Sequence, residues 1–236
     1  MGFDSDLYLH VREKEGRLYS DEVVRGLPGL PPAHPLRAEW RARAASAARL
    51  CAYLAQLARP LTILELGCGN GWLTNRLAQV QDCRAVGVDL NHHELSQAAR
   101  LFAGHRLTFL AADIFQAPFG ERSFDAIIIA SAIQYFPDPS ALIRRLMPLL
   151  SERGEIHVLD SPLYAPSEIA DARARTQAHY AALGFPEMAG HYHHHTLDAL
   201  AGFHPTLLYD PRSPLARLRR RLRLADSPFP WIRLRW

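Results

Sequence analysis

Apolar positions recur along this chain in two periods, and their alternation predicts an α/β fold. Short continuous apolar runs at 61–66, 84–89, 107–110, 124–130 and 155–160 read as buried strands. Between them, 72–80, 91–102, 139–150 and 166–182 carry helical spacing. Apolar runs separated by helices predict a mostly parallel sheet covered on both faces. Upstream, residues 36–58 set Trp40, Ala44, Ala47, Ala48, Leu50, Leu54 and Leu57 in an alanine- and arginine-rich helix stopped by Pro60. Residues 7–12 read as a short strand, and 27–35, with four prolines and a glycine, as a loop. Downstream, 191–195 and 204–209 read as a closing strand pair around a helical turn at 197–201. Pro214–Leu224 places Leu215, Leu218 and Leu222 on one stripe of an arginine-rich helix, with Phe229, Trp231 and Trp236 beyond. The expected division is an N-terminal cap and helix (1–58), a central domain (59–211) and a basic amphipathic tail (212–236). A chain of 236 residues suits one large domain with a cap better than two full domains.

The first strand ends in Glu65 and runs into Gly67-Cys68-Gly69-Asn70-Gly71 before the helix at Trp72. An acid and a glycine turn between strand and helix make a floor where a ligand can lie against bare backbone. Dinucleotide folds require Gly-x-Gly-x-x-Gly, and Trp72 stands where the third glycine would be. A phosphate loop requires a closing Lys-Ser or Lys-Thr, which is absent. The spacing that is present, acid-x-Gly-x-Gly-x-Gly, resembles motif I of the class I S-adenosylmethionine-dependent methyltransferases.

That resemblance extends over roughly residues 60–210. Strand two ends in Asp89, about 20 residues after the first glycines, where an acid accepts ribose hydroxyls in nicotinamide-binding proteins as well. Asp113 follows strand three and matches the family's acid for the adenine amino group, a station a dehydrogenase does not need. Ser131-Ala132-Ile133-Gln134-Tyr135-Phe136 follows strand four, where family members line the methyl-transfer site. Leu146–Leu150 leads into Ser151-Glu152-Arg153-Gly154, which keeps one glycine of the family's turn before strand five. The resemblance implies a Rossmann-like, doubly wound, mostly parallel seven-stranded sheet with a terminal antiparallel hairpin and an N-terminal cap. It implies S-adenosyl-L-methionine as cofactor. Carried over residue by residue, the contacts are Glu65, Gly67, Cys68, Gly69, Asn70, Gly71, Asp89, Leu90, Asp113, Ile114 and Ser131. This donor has no phosphates, in keeping with a loop without lysine or arginine, and its cationic groups suit a site holding Glu65, Asp89 and Asp113.

Gln134, Tyr135 and His194 are the candidates for the methyl-acceptor side. His191, His193 and His195 would share one face of a strand, but they have no spaced carboxylate or cysteine partner, so no metal is expected. One imidazole of 191–195 suits a general base, because histidine titrates near neutral pH. Tyr8, Tyr19, Trp40, Tyr164 and Tyr180 are wall candidates. The segment after strand four lacks the Asn-Pro-Pro-Tyr of adenine N-methyltransferases and the Pro-Cys of cytosine C5 enzymes, which argues against nucleic-acid substrates. Cys68 reads as a small loop residue, not a nucleophile.

The net charge of +3 conceals an asymmetry. Residues 212–236 hold eight arginines against Asp226, a charge of +7, which leaves −4 for the rest of the chain. A mildly acidic body speaks against a broad nucleic-acid face, whereas the tail suits self-packing, peripheral contact with a membrane or an anionic partner. Oligomeric state is not read. Cys51, Cys68 and Cys83 lack metal spacing, and residues 1–6 lack a leader pattern. No apolar run reaches the ~20 residues needed to span a bilayer, so a cytoplasmic protein with reduced thiols is expected. The function expected is methyl transfer to an oxygen or nitrogen of a small molecule. The rivals are a catalytically silent S-adenosylmethionine-binding partner subunit and, on a similar sheet, an NAD(P)-dependent oxidoreductase.

Overall fold

The computed structural model describes residues 5–102, 104–222 and 224–235, so Trp236 lies outside the described residues. The apolar runs become β1 (Leu61–Leu66), β2 (Cys83–Asp89), β3 (Leu107–Ala111), β4 (Phe124–Ala130) and β5 (Leu150–Leu159). These pair in parallel in the order β3-β2-β1-β4-β5. The chain adds strands outward from β1, first to one side (β2, β3) and then to the other (β4, β5), so a crevice opens between the C-terminal ends of β1 and β4, where open α/β sheets take ligands.

Period-two alternation splits the strand residues into two cores. Leu64, Leu66, Ile127, Ile129, Ile156 and Val158 face one side and pack with Leu142, Ile143 and Leu146 of α6 (Pro139–Leu146). Leu61, Ile63, Ala126 and Ile128 face the other. There they meet Trp40, Ala47, Leu50 and Leu54 of α3 (Arg37–Gln56) and Trp72, Leu73 and Leu77 of α4 (Trp72–Ala78). Both faces are therefore covered, as continuous apolar strands require.

Several local expectations are corrected. Residues 7–12 lie in a helix, α1 (Ser5–Lys14), not a strand. Leu7, Tyr8 and Val11 fall on one helical face and pack with Tyr180, Met188, Tyr135 and Tyr192. A short helix, α2 (Asp21–Gly26), capped by the Ser20 hydroxyl, precedes the proline loop. The helix expected to Leu150 ends at Leu146, and after a turn holding Pro148 strand β5 begins at Leu150, well before the expected 155. Ser151–Gly154 therefore lies within a strand, at a register shift opposite Phe124–Ala126.

The closing hairpin keeps the strand expected at 204–209 but takes a different partner. Segment 191–195 does not join the main sheet. Its backbone bonds go to the turn after β4, His193 N–H donating to the Gln134 carbonyl at 2.7 Å. Only β7 (His195–Thr196) pairs, with β6 (Leu163–Tyr164), in a separate two-stranded ladder. The hairpin is β8 (Thr206–Tyr209) and β9 (Trp231–Leu234), with β9 antiparallel to β5 and lying between β5 and β8. The segment expected as an appended tail thus supplies an inner strand of the seven-stranded sheet. Its helix is α8 (Pro214–Arg221). The remaining helices are α5 (His92–Leu101) and α7 (Ile169–Leu183).

A buried polar cluster locks β9 onto β5. The Tyr53 hydroxyl donates to Glu155 Oε2 at 2.7 Å and Arg235 Nε to Glu155 Oε1 at 2.9 Å. Trp231 Nε1 donates to His157 Nδ1 at 3.2 Å, so His157 is neutral and carries its proton on Nε2, 3.2 Å from Glu155 Oε2. Burial lowers the His157 pKa against the pull of Glu155. Burial alone would raise the Glu155 carboxyl, but hydrogen bonds from His157, Tyr53 and Arg235 hold it down to about 2. Both groups bind protons more readily in the unfolded chain. Stability is therefore full near neutral pH, falls as pH drops below the histidine's ordinary 6.5, and falls further from the glutamate's ordinary 4.5 towards about 2. The slope expected is up to about 1.4 kcal/mol per pH unit for each group while it titrates. Thermal melts across this range check it: Glu155→Gln should flatten the lower step and spare the upper one.

Candidate functional site

A cleft of about 1520 Å³ lies over the C-terminal ends of β1, β2 and β4, roofed by side chains from α1, α3 and α7. Its floor is the glycine turn. Gly67 (φ +74°) and Gly69 (φ +50°) take left-handed backbone. A Cβ on Gly67 would stand 2.6 Å from the Ala132 Cβ, so the bare backbone lets the loop after β4 close against β1. The Gly69 N–H donates to Asp89 Oδ2 at 2.8 Å and the Asn91 N–H to Asp89 Oδ1 at 2.9 Å. Asp89 is thereby fixed at the tip of β2, each oxygen holding one backbone donor and retaining a lone pair.

Gly71 is placed differently from its expected ligand role. It does not line the cleft. Its φ of +74° begins α4, and a Cβ there would strike the Phe109 ring at 2.6 Å and Ala98 at 2.8 Å. It is a packing glycine. The other ten expected contacts all border the cleft. Glu65 is buried and accepts the Thr74 hydroxyl. Cys68 is 4% exposed, and burial pushes its thiol up, so it is a protonated loop side chain. Asn70 accepts the Trp72 N–H at 3.3 Å. Asp113 closes its own turn, taking the Phe115 N–H at 2.9 Å and Gln116 Nε2 at 3.0 Å. Leu90 and Phe115 offer exposed apolar surface to the cleft, which the buried Ile114 also lines. Ser131 (φ +54°) donates its hydroxyl to the Asp160 carbonyl at 2.9 Å.

Three carboxyls on the floor are perturbed together. Burial pushes Glu65 up to about 8, outweighing the Thr74 hydrogen bond. Burial likewise raises Asp89 against the Asn91 and Gly69 amides, and Glu94 against Arg12. Desolvated acids of this kind favour a bound cation, which would offset the cost of ionising them. The residues therefore fit S-adenosylmethionine: a fixed acid for diol hydroxyls, apolar walls for a flat ring, and latent negative charge for sulfonium and ammonium.

On the acceptor side, Gln134 Nε2 donates to the Ser131 carbonyl at 2.7 Å. A carbonyl only accepts, so the amide orientation is set and Oε1 is directed elsewhere. That oxygen is buried and accepts no hydrogen bond among the described residues. Tyr135 packs edge-on with Tyr8 at 5.6 Å and Tyr192 at 6.1 Å, and burial raises its phenol. Tyr8, Trp40, Tyr164 and Tyr180 border the cleft; Tyr19 does not, and its hydroxyl accepts from Trp40 Nε1 at 2.8 Å. His194 lies behind the wall, 2.9 Å from the Thr176 hydroxyl and outside the cleft lining. His195 is spent on the Ile133 carbonyl at 3.2 Å. His191 and His193 do line the cleft, and burial lowers the His193 pKa. Among the described residues no group of three or more His, Cys, Asp or Glu is placed to hold a metal ion.

Sequence reasoning missed Glu94, Arg12, Arg43 and Asp160. Glu94 had a signal: Asn91 caps α5, accepting the His93 and Glu94 N–H groups, and its side chain reaches Glu94 Oε2 at 3.2 Å. Arg12 had none, because it reaches the cleft only when α1 docks. Asp160 joins α3, β5 and the loop before β9 by accepting the hydroxyls of Ser46 (2.7 Å) and Ser227 (2.8 Å).

Residues 63–154, from β1 into β5, match the family "Methyltransferase domain". Sterol 24-C-methyltransferase erg6 of Aspergillus fumigatus is 26% identical over 42% of this chain and 28% of its own length. Malonyl-[acyl-carrier protein] O-methyltransferase of Anoxybacillus flavithermus is 33% identical over 41% of this chain and 38% of its own. The chain thus spans well under half the length of these relatives. In fold, the plantazolicin methyltransferase BpumL, solved with a desmethyl substrate analogue and S-adenosylhomocysteine, superposes over 96% of this chain and 98% of its own. The TM-score is 0.56 at 16% identity.

Proposed function

We propose that this chain, whose residues 63–154 match a methyltransferase domain, is a class I S-adenosylmethionine-dependent methyltransferase that methylates an oxygen or nitrogen of a small molecule held beneath its N-terminal cap. The observation that carries the reading is Asp89, fixed by the Gly69 and Asn91 amides at the crevice between β1 and β4. When bound, S-adenosylmethionine supplies a methyl carbon already activated by its sulfonium. The protein's task is alignment, a contribution of about 7–11 kcal/mol when geometry is good. Asp89 would take the ribose hydroxyls, Leu90, Ile114 and Phe115 the adenine, and Glu65 and the glycine turn the methionine end.

Gln134 Oε1 accepts an N–H or O–H of the acceptor and holds the nucleophilic atom in place. It has no proton affinity to act as a base. His193 lines the same wall, tied to Gln134 through its backbone N–H. Burial keeps its imidazole neutral at pH 7, the state a proton acceptor needs. Among the imidazoles of 191–195, His193 is therefore the one favoured as base, and His194, whose ring meets the Thr176 hydroxyl, is not. The acceptors named for the two curated relatives, a carbon of a sterol and an oxygen of malonyl-[acyl-carrier protein], differ in class. The small-molecule assignment rests instead on the roof of α1 and α7 over the cleft.

Melting the protein with S-adenosylhomocysteine and with NADH separately tests the reading. A rise with the first alone is expected; a rise with NADH alone would return the oxidoreductase. Incubation with methyl-labelled S-adenosylmethionine and a metabolite extract should label a small product, and a chain that binds but never labels would be the silent subunit. Once a substrate is in hand, His193→Ala should lower kcat about 100-fold or more, the usual size of acid–base catalysis, with unchanged S-adenosylhomocysteine affinity. An equal loss in His194→Ala and none in His193→Ala would reverse the assignment.

A further inference from the structure

The helix α8 carries a feature that methyl transfer does not use. Leu215, Leu218 and Leu222, spaced i, i+3 and i+7, are 67%, 52% and 63% exposed, and Leu224 follows at 47%. The helix meets its own domain through the small Ala216, which is buried. The leucines therefore form a stripe turned away from the domain. Single exposed leucines need no explanation, but four within ten residues, on the helix and the stretch that follows it, do.

The charges around the stripe say what covers it. Arg219 is engaged with Asp226 at 3.1 Å and Arg220 with the Pro211 carbonyl at 2.6 Å. Arg217 and Arg221 have no ion-pair partner among the described residues, and Asp226 is the only acid in residues 212–236. Its side chain is 1% exposed and held by Arg49 as well as Arg219, so it leaves no compensating negative charge at the surface. A second copy of this chain would bring the same unpaired arginines against these, a repulsive arrangement for a self-complementary contact. A partner of complementary chemistry offers apolar depth for the leucines and a plane of negative charge for the arginines. That is the interface of an anionic bilayer.

We propose that α8 docks the protein on anionic lipid surfaces, leucines entering the headgroup–acyl boundary and Arg217 and Arg221 meeting lipid phosphates. No helix of the described residues is long and apolar enough to cross a membrane, so this is attachment to the surface. The docking element is mechanically joined to the cleft: Arg219 holds Asp226, and Asp226, Ser227, Pro228 and Phe229 line the cleft wall. The proposal stands apart from the catalytic reading, since lipid association is measured without methyl transfer.

Co-sedimentation of the full chain with vesicles tests it. The protein should pellet with phosphatidylcholine vesicles containing phosphatidylglycerol and remain in solution with phosphatidylcholine alone. Leu215→Ser, Leu218→Ser and Leu222→Ser together should weaken association about tenfold or more, as should Arg217→Glu with Arg221→Glu. Because these side chains are exposed, both variants should keep the wild-type melting temperature and its rise with S-adenosylhomocysteine. No pelleting with anionic vesicles overturns the proposal. So does a leucine variant that pellets like wild type, which reduces the effect to general charge attraction. Sedimentation equilibrium showing a wild-type dimer that the leucine variant dissolves would assign the stripe to a second copy and overturn it too.

Discussion

Asp89→Ala weakens S-adenosylhomocysteine binding by about 100-fold or more while the chain stays folded. Among the described residues the carboxylate is the only charged group fixed by backbone amides at the crevice end of β2, and hydrogen bonds to a charged acceptor contribute about 1.5–3 kcal/mol each. Two lost ribose contacts account for the factor. The substitution also frees the Gly69 and Asn91 amides from their partner, so the loop loses its fixed orientation as well as its ligand. Stability changes less, because a desolvated carboxyl, raised by burial, is removed at the same time. Asp89→Asn keeps one acceptor oxygen and should fall between. Isothermal titration with circular dichroism on each variant checks this, and wild-type affinity in Asp89→Ala would sink the ribose assignment.

Gly71→Ala produces a much larger loss of stability than Gly69→Ala. It forces a Cβ onto a left-handed residue, at a cost of about 1–2 kcal/mol. It also drives that atom to 2.6 Å from Phe109 and 2.8 Å from Ala98, an overpacking of about 1–3 kcal/mol. Gly69→Ala shares the strained φ, but its Cβ meets only the Glu94 carboxylate at an ordinary 3.5 Å. Gly69→Ala should therefore cost about 1–2 kcal/mol of stability and act mainly on ligand affinity, through the floor it lines. Urea unfolding and titration of the two variants separate the roles. Equal destabilisation by both would contradict the packing assignment of Gly71.

The sheet was legible wherever one strand could be recognised by itself. β1, β2, β3 and β4 lie close to their apolar runs, since buried parallel strands announce themselves locally. The turn after β1 and the acids Asp89 and Asp113 were legible for the same reason, each being tied to the end of a strand. What was misread depends on partners distant in sequence. Leu7–Arg12 is short enough to fit either period, and docking on Tyr180 and Met188 decides for helix. Trp231–Leu234 looked like an aromatic tail. It becomes a strand because Ile156–Val158 on β5 offers an open edge and Glu155 and His157 bind its neighbours Arg235 and Trp231.

The site divides along the same line. Motif residues on the floor could be named from the sequence. Gly71, inside the motif, could not be told from its neighbours without Phe109 of β3, which fills the space its side chain would occupy. The roof was illegible: Arg12 comes from α1, and the choice of His193 over His194 turns on which way a three-residue stretch of irregular backbone faces. Gln134 was singled out by position, but its unpaired Oε1 is visible only once Nε2 is seen on the Ser131 carbonyl.

The most direct test of the central claim is a crystal structure of the wild-type chain with S-adenosylhomocysteine. One molecule is expected in the crevice between β1 and β4, with both ribose hydroxyls in hydrogen-bond reach of Asp89 and adenine between Leu90 and Phe115. The sulfur should be turned towards Gln134. Density with the ribose away from Asp89, or a saturated crystal with the crevice empty, would contradict it.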